Sequence, residues 1–85
     1  MREVRFTPHA HSQLQAWKKT DKKIYARIVK LIEAIRENPY YGIGKPESLK
    51  YELSGLWSRR ITHEHRLIYR VTSDAIIVIA CKFHY

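Results

Sequence analysis

The chain has 85 residues, which is enough for one small domain over residues 1–85 and not for a second. Apolar side chains make up 45% of it, so a hydrophobic core is expected and disorder is not. Sixteen basic residues against eight acidic ones give a net charge of +8, with histidines counted as neutral. A charge of this sign attracts polyanions, which could be nucleic acid, anionic lipid or an acidic protein.

The sequence also indicates the compartment in which the protein works. Cys81 is the only cysteine, so no internal disulfide can form. Residues 1–8 lack the apolar run of a signal peptide, and no segment approaches the roughly 20 apolar residues of a membrane span. We therefore expect a reducing, cytoplasmic setting and no membrane partner.

The first half of the chain predicts one strand and two helices. Glu3 to Phe6 alternates as a short strand does, and Thr7-Pro8 then supplies a helix N-cap and a first helical residue. A second helix begins at Thr20-Asp21 and ends at Asn38-Pro39. Apolar residues recur at helical spacing in both helices: Ala10, Leu14 and Trp17 in the first, and Ile24, Ile28, Leu31, Ile32 and Ile35 in the second.

After a loop from Tyr40 to about Ser48, the apolar period changes to two, which is typical of strands. Four strands are predicted: Leu49 to Leu53, Leu56 to Thr62, Arg66 to Val71 and Ala75 to Phe83. The turns between them are short, and short connections favour antiparallel neighbours. The predicted fold class is therefore α+β, with two N-terminal helices packed on one face of a small antiparallel β-sheet.

Parity along the strands assigns side chains to the two faces of this sheet. The helix-covered face is predicted to take Trp57, Ile61, Leu67, Tyr69, Val71, Ile77, Ile79, Cys81 and Phe83. The open face then carries Ser58 and Ile68 with a cationic set: Arg60, Arg66, Arg70, Lys82 and His84. A two-residue turn at His63-Glu64 would instead align Arg59 with Arg66, but the burial of Trp57 and Ile61 favours Arg60. Guanidinium groups on an open face suit phosphate oxygens.

RNA can be cleaved without a metal ion when a base removes the 2′-hydroxyl proton and an acid protonates the departing 5′-oxygen. The five histidines form no ligand pattern with carboxylates or the cysteine, so neither a metal nor a cofactor is expected. Few acid–base candidates remain. Glu47 lies in a loop that contains glycine and proline, and His84 precedes Tyr85. Each could also be an ordinary surface group, and spacing alone does not decide.

Several long segments of the chain carry specific motifs: the stretch Gly42-Ile43-Gly44-Lys45-Pro46-Glu47-Ser48-Leu49-Lys50, the stretch from Leu53 to Thr62, the stretch from Glu64 to Tyr69, and the ending Ala80-Cys81-Lys82-Phe83-His84-Tyr85. These segments resemble the YoeB branch of the RelE toxin family. The helix after Thr20-Asp21-Lys22 is similar too, so the resemblance covers nearly the whole chain. Two departures are mild: Ile43 stands where a lysine is usual, and Lys82-Phe83 replaces an Arg-Tyr pair.

The resemblance implies a RelE-like, microbial-RNase-like domain that cleaves translated messenger RNA in the ribosomal A site. It implies that Glu47 is the general base, His84 the general acid and Arg66 the group that stabilises the transition state. Lys50 and Arg60 would hold phosphates, and Tyr85 would orient the substrate. The implied partners are a cognate YefM-like antitoxin, messenger RNA, the ribosome, a second copy in a homodimer, and DNA only through the toxin–antitoxin complex.

Two functions of different classes are consistent with these residues. The first is the endoribonuclease, which needs Glu47 and His84 at one phosphate. The second is a basic module that binds nucleic acid or the ribosome and blocks translation without cleavage, which needs only the arginines and lysines. A DNA-binding repressor is less well supported, because the sequence has no convincing helix-turn-helix.

Overall fold

A computed structural model describes residues 2–83. Within them the chain forms two long helices, five strands and a short 3-10 helix. In chain order these are β1 (Glu3–Phe6), α1 (Pro8–Thr20), α2 (Lys22–Glu37), β2 (Glu47–Ser48), the 3-10 helix (Tyr51–Leu53), β3 (Leu56–Arg60), β4 (Arg66–Val71) and β5 (Ala75–Ala80). No helix of this part of the chain combines the length and apolar character needed to cross a lipid bilayer.

The helix boundaries are confirmed, together with the capping groups that the sequence predicted. The Thr7 hydroxyl accepts a hydrogen bond from the backbone N–H of Ala10 at 3.1 Å, and Pro8 is the first residue of α1. The Asp21 carboxylate accepts from two N–H groups in the first turn of α2, at 3.1 and 3.2 Å. Asn38 closes α2 by donating its N–H to the carbonyl of Ala34. These contacts satisfy groups that a helix end would otherwise leave without partners.

The five strands form one sheet in the order β1-β5-β4-β3-β2. Strands β2 to β5 pair antiparallel with their neighbours, as predicted, but β1 pairs parallel with β5. The prediction of a wholly antiparallel sheet is therefore wrong, and the sheet is mixed. Both helices separate β1 from the other strands, so no short turn fixes its direction, whereas such turns do fix the directions of β3, β4 and β5.

The predicted strand from Leu49 to Leu53 is also wrong. Only Glu47 and Ser48 pair with β3, opposite Ser58 and Trp57. The chain then turns, because the Leu53 N–H donates to the carbonyl of Lys50 and the Ser54 N–H to that of Tyr51. The strand predicted to reach Thr62 ends at Arg60, and the one predicted to reach Phe83 ends at Ala80.

The core lies between the helices and one face of the sheet. Ile28, Leu31 and Ile35 of α2 are fully buried against Leu67 and Tyr69 of β4, and Trp57 packs at the margin of this cluster, as predicted.

The face assignment predicted for β5 is wrong in part. Ile76 and Val78 are fully buried and pair with Val71 and Tyr69, so they, and not Ile77, face the helices. The register shifts after Val78, because Ile68 pairs with Ala80 while Tyr69 pairs with Val78. The extra residue in β5 forms a β-bulge, which reverses the side of the sheet on which odd-numbered and even-numbered side chains lie. Cys81 is therefore in the core as predicted, whereas Phe83 is 56% exposed and Ile79 is not a core residue.

Candidate active site on the open sheet face

Three rows of paired residues cross β3 and β4 on the face away from the helices. Arg60 pairs with Arg66, Ser58 with Ile68, and Leu56 with Arg70. Directly paired residues on neighbouring strands project from the same side of a sheet. The register therefore places Arg60, and not its neighbour Arg59, beside Arg66, as the sequence predicted.

Glu47 joins this face from the edge strand. It pairs with Ser58, and its carboxylate Oε1 lies 3.7 Å from Nη1 of Arg66. The same Nη1 donates a long hydrogen bond of 3.4 Å to the Ser58 hydroxyl. The Glu47 side chain is 64% exposed and that of Arg66 is 29% exposed, so solvent screens the ion pair and it adds little stability. The sheet thus brings a carboxylate and a guanidinium together at a place that a phosphate can reach.

Of the two further predicted cations, Arg60 lies beside this pair, and Lys50 follows Glu47 by three residues. Arg60 is half-buried and directly opposite Arg66, and like charges in that position repel each other. Its strand is held by a backbone hydrogen bond from the Arg60 N–H to the carbonyl of Gly44. Lys50 is exposed and begins the turn that follows β2. Neither group contributes to the core, and two facing arginines are favourable when an anion lies between them.

The C-terminal members of the predicted site, His84 and Tyr85, lie outside the described residues. The residue before them is firmly placed. The Phe83 N–H donates to Nδ1 of His65 at 2.8 Å, and the Phe83 carbonyl accepts from the N–H of Arg66 at 2.9 Å. His65 is buried against the Trp17 ring, with the ring centroids 4.8 Å apart. These contacts bring the chain to the start of β4 immediately before His84.

Lys82 is not on the open face, and its prediction there is wrong. Its ammonium lies 5.5 Å from the centroid of the Trp17 ring and 5.4 Å from that of Phe83. Trp17 belongs to α1, so Lys82 is beside the helix layer. The strand β5 ends at Ala80 and Phe83 has a φ of +60°, so the alternation of a strand no longer applies at Lys82.

One residue that shapes the site was not among the predicted site residues: Arg59 is completely buried. Its guanidinium donates to the Tyr69 hydroxyl and to the carbonyls of Asn38, Tyr41 and Ile43, at 2.6 to 3.2 Å. The loop between α2 and β2 is therefore fastened to β3. Strand parity could have revealed this position, because Arg59 lies on the same face as the partly buried Trp57 and the buried Ile61. A buried arginine is nevertheless unexpected without such acceptors.

Two groups in the core have altered acidity. Burial raises the pKa of the Tyr69 hydroxyl, and the adjacent Arg59 partly offsets that rise. The Tyr69 hydroxyl in turn donates to the carbonyl of Pro39 at 2.7 Å. Burial likewise raises the pKa of the Cys81 thiol to about 11. Both groups stay protonated near neutral pH, so neither is suited to act as a base or a nucleophile.

Within residues 2–83, no three His, Cys, Asp or Glu side chains come together as the ligands of a metal ion would. This absence does not test the expectation that the site works without a metal or a cofactor, which stays a prediction. The groups that are present can bind an anion, accept a proton at Glu47 and place positive charge beside a phosphate at Arg66.

Comparison with known proteins points to one family. Residues 6–85 match the sequence model described as the YoeB-like toxin of bacterial type II toxin-antitoxin systems. The toxin YoeB of Escherichia coli strain K12 is 55% identical over 69 residues, which are 81% of this chain and 82% of that one. The YoeB dimer from Staphylococcus aureus is 42% identical with a TM-score of 0.92, covering 99% of this chain and 98% of that chain. The YoeB-YefM complex from the same organism is 41% identical with a TM-score of 0.91, covering 100% and 99%.

Proposed function

The chain belongs to the family of YoeB-like toxins of bacterial type II toxin–antitoxin systems, and on that premise we propose that it is an endoribonuclease that cleaves translated messenger RNA in the ribosomal A site. The observation that carries the proposal is the 3.7 Å approach of the Glu47 carboxylate to the Arg66 guanidinium on an open, basic sheet face. A protein that only binds RNA needs the guanidinium groups but has no use for a carboxylate among them.

In the proposed reaction the RNA supplies its own nucleophile. Glu47 takes the proton of a 2′-hydroxyl, the 2′-oxygen forms a bond to the adjacent phosphorus, and the bond from phosphorus to the 5′-oxygen breaks. His84 gives its proton to that 5′-oxygen, so the products are a 2′,3′-cyclic phosphate and a 5′-hydroxyl. Arg66 neutralises charge that builds up on the phosphoryl oxygens. None of these steps requires a metal ion.

Substrate binding is assigned to the remaining basic groups. Arg60, opposite Arg66, and Lys50, three residues after Glu47, hold phosphates that flank the reacting one. Tyr85 orients the nucleotide beside the proton donor. The net charge of +8 supports this assignment, because it speeds the encounter with RNA and makes binding weaken as salt rises.

We also propose the partners from the relatives. The Staphylococcus aureus YoeB occurs as a dimer and in a complex with YefM. By analogy, a YefM-like antitoxin neutralises this chain, two copies can form a homodimer, and DNA is contacted only through the toxin–antitoxin complex. The setting is the cytoplasm, where translated messenger RNA is found.

The test is single-turnover cleavage of messenger RNA on programmed ribosomes by the wild-type protein and two isosteric variants. Glu47→Gln should slow cleavage by about 10²- to 10⁴-fold, the usual value of a positioned base, while ribosome binding persists. Glu52→Gln removes the same charge from an exposed site five residues away and should leave the rate unchanged.

The cleavage ends provide a second readout. The mechanism predicts 5′-hydroxyl ends, and 5′-phosphate ends would exclude attack by the 2′-oxygen. Translation that stops without any cleavage would favour the alternative, a basic module that only blocks the ribosome. Cleavage by Glu47→Gln at the wild-type rate would remove Glu47 from the reaction.

A further inference from the structure

The open face carries a second cationic position that the proposed reaction does not use. Arg70 lies four residues beyond Arg66 on β4 and projects from the same face, about 13 Å away at the usual rise of a strand. It is exposed, and its neighbours across the sheet are Leu56 on β3 and Ile77 on β5. Within residues 2–83, no carboxylate forms an ion pair with it. A solvated guanidinium without a partner is available to an anion.

The next arginine in the same row behaves differently. Arg5 on β1 pairs with the opposite side of Ile77, but its Nε donates to the Glu3 carboxylate at 2.8 Å. That neighbour neutralises Arg5 and raises its pKa through the hydrogen bond and the charge of Glu3. The cationic surface of the open face therefore extends from Arg60 and Arg66 to Arg70. Beyond Arg70, on β1, the positive charge of Arg5 is neutralised by an acid.

An exposed aromatic residue lies at the same end of the sheet. Tyr51 is 89% exposed and has a φ of +58°, in the left-handed region that residues other than glycine rarely adopt. That conformation is strained for a residue with a side chain, and the exposed ring recovers none of the strain by burial. Strain at an exposed side chain is a reason to look for a function.

The turn that carries Tyr51 also meets Arg70. The Ser54 N–H donates to the carbonyl of Tyr51 at 3.0 Å, and Gly55 follows directly. A Cβ atom at Gly55 would lie 3.8 Å from Nη1 of Arg70. The guanidinium is thus next to the turn that presents the aromatic ring. An unpaired base stacks on such a ring, and the phosphate of its nucleotide matches such a guanidinium.

We propose that Arg70 and Tyr51 form a subsite for a nucleotide that flanks the scissile phosphate, with Arg70 holding its phosphate and Tyr51 stacking on its base. The inference rests on the proposed function, because Arg66 marks where the reacting phosphate lies. The row between the two cationic positions is Ser58 and Ile68, which are neutral and fully buried. The subsite lies about 13 Å along β4 from Arg66, which places it at a flanking nucleotide and not at the cleaved bond itself.

Binding is measured first, on the full chain carrying Glu47→Gln so that the RNA stays intact. The probes are two fluorescently labelled oligoribonucleotides that contain the same linkage for the active site. The longer one extends several nucleotides past that linkage, and the shorter one does not. The longer one should bind about tenfold more tightly, within the range expected for one stacked base and one phosphate contact. Adding Tyr51→Asn should remove most of that advantage, since asparagine tolerates a positive φ but cannot stack. Tyr51→Trp should preserve it.

Matched controls separate a site from a general charge effect. Arg70→Gln should reduce the advantage of the longer RNA, whereas Lys19→Gln, an equal change of charge on α1, should not. Tyr41→Asn alters another exposed tyrosine, which is 76% exposed in the loop after α2, and should also have no effect. The proposal would be overturned if Lys19→Gln reduced the advantage of the longer RNA as much as Arg70→Gln, and Tyr41→Asn as much as Tyr51→Asn.

Turnover distinguishes this inference from the proposed function. On programmed ribosomes, Tyr51→Asn in an otherwise wild-type chain should raise the half-saturating concentration about tenfold and leave the saturated rate nearly unchanged. Active wild-type protein with no effect of length or of Tyr51→Asn would refute the subsite and leave the nuclease standing. The variants at Tyr51 and Arg70 could instead bind the ribosome or the antitoxin more weakly while still binding the longer RNA more tightly. That result would assign these residues to another partner and would equally refute the subsite. If even the wild-type protein cleaves nothing, the proposed function fails and the subsite fails with it, and retained length dependence would then show only an RNA-binding site at Arg70 and Tyr51.

Discussion

The buried guanidinium of Arg59 gives the sharpest test of how this fold is stabilised. We expect Arg59→Met to destabilise the protein by about 2–4 kcal/mol. Arg59 makes four hydrogen bonds, to Tyr69 and to the carbonyls of Asn38, Tyr41 and Ile43, and loss of a charged hydrogen bond costs about 1.5–3 kcal/mol. We expect less than the summed loss of all four hydrogen bonds, because the substitution by methionine also removes a buried charge whose desolvation opposes folding. Three carbonyls nevertheless lose their donor.

Such a loss is large for a domain of this size. Small domains have a total stability of about 5–15 kcal/mol, and each kcal/mol shifts the Tm by roughly 4–8 °C. A loss of about 3 kcal/mol should therefore lower the Tm by roughly 12–24 °C. Arg59→Lys should recover little of it, because a single ammonium cannot reach acceptors spread around a planar fork.

The assay is urea and thermal unfolding followed by tryptophan fluorescence, which reports Trp17 in α1 and Trp57, two residues from Arg59 on β3. The matched control is Arg60→Met, the same substitution at the adjacent position, where the side chain is on the open face. That variant should change stability by no more than about 0.5 kcal/mol. If Arg59→Met and Arg60→Met cost the same, the hydrogen bonds of Arg59 do not stabilise the fold and the reasoning is wrong.

Three further predictions concern the core, a helix cap and the C-terminus. Because burial raises the pKa of Cys81 from 9.0 to about 11, its contribution to stability is complete below the unfolded pKa and is lost as pH rises through this window. The loss should be roughly 2–3 kcal/mol, and urea unfolding across that range should show a weaker decline in Cys81→Ala. Asp21→Ala should cost about 1 kcal/mol by removing two capping bonds of α2, and thermal unfolding that shows no change would contradict the cap. Deleting His84 and Tyr85 should leave the Tm nearly unchanged but lower single-turnover cleavage by about 10²- to 10⁴-fold, and an unfolded truncation would point to a structural role.

Local patterns in the sequence were sufficient to predict both helices and their ends. The apolar stripe of α2 and the caps at Thr7, Asp21 and Asn38 depend on residues at most four positions apart, which the sequence displays directly. The directions of β3, β4 and β5 also followed, because short turns connect them. Glu47 and Arg66 could be named as candidates from residue type and resemblance, but their roles stay predictions.

Only the tertiary structure decided the features that depend on distant partners. Every residue of β5 is apolar, so alternation could not tell which of Ile76 and Ile77 faces the helices, and a bulge then reversed the parity. The 3.7 Å approach of Glu47 to Arg66 requires two strand pairings, from β2 to β3 and from β3 to β4. The burial of Arg59 requires carbonyl acceptors that a loop about twenty residues earlier in the chain brings to it. Sequence patterns report which face of an element is apolar, whereas the pairing of strands and the satisfaction of buried polar groups depend on how the whole chain packs.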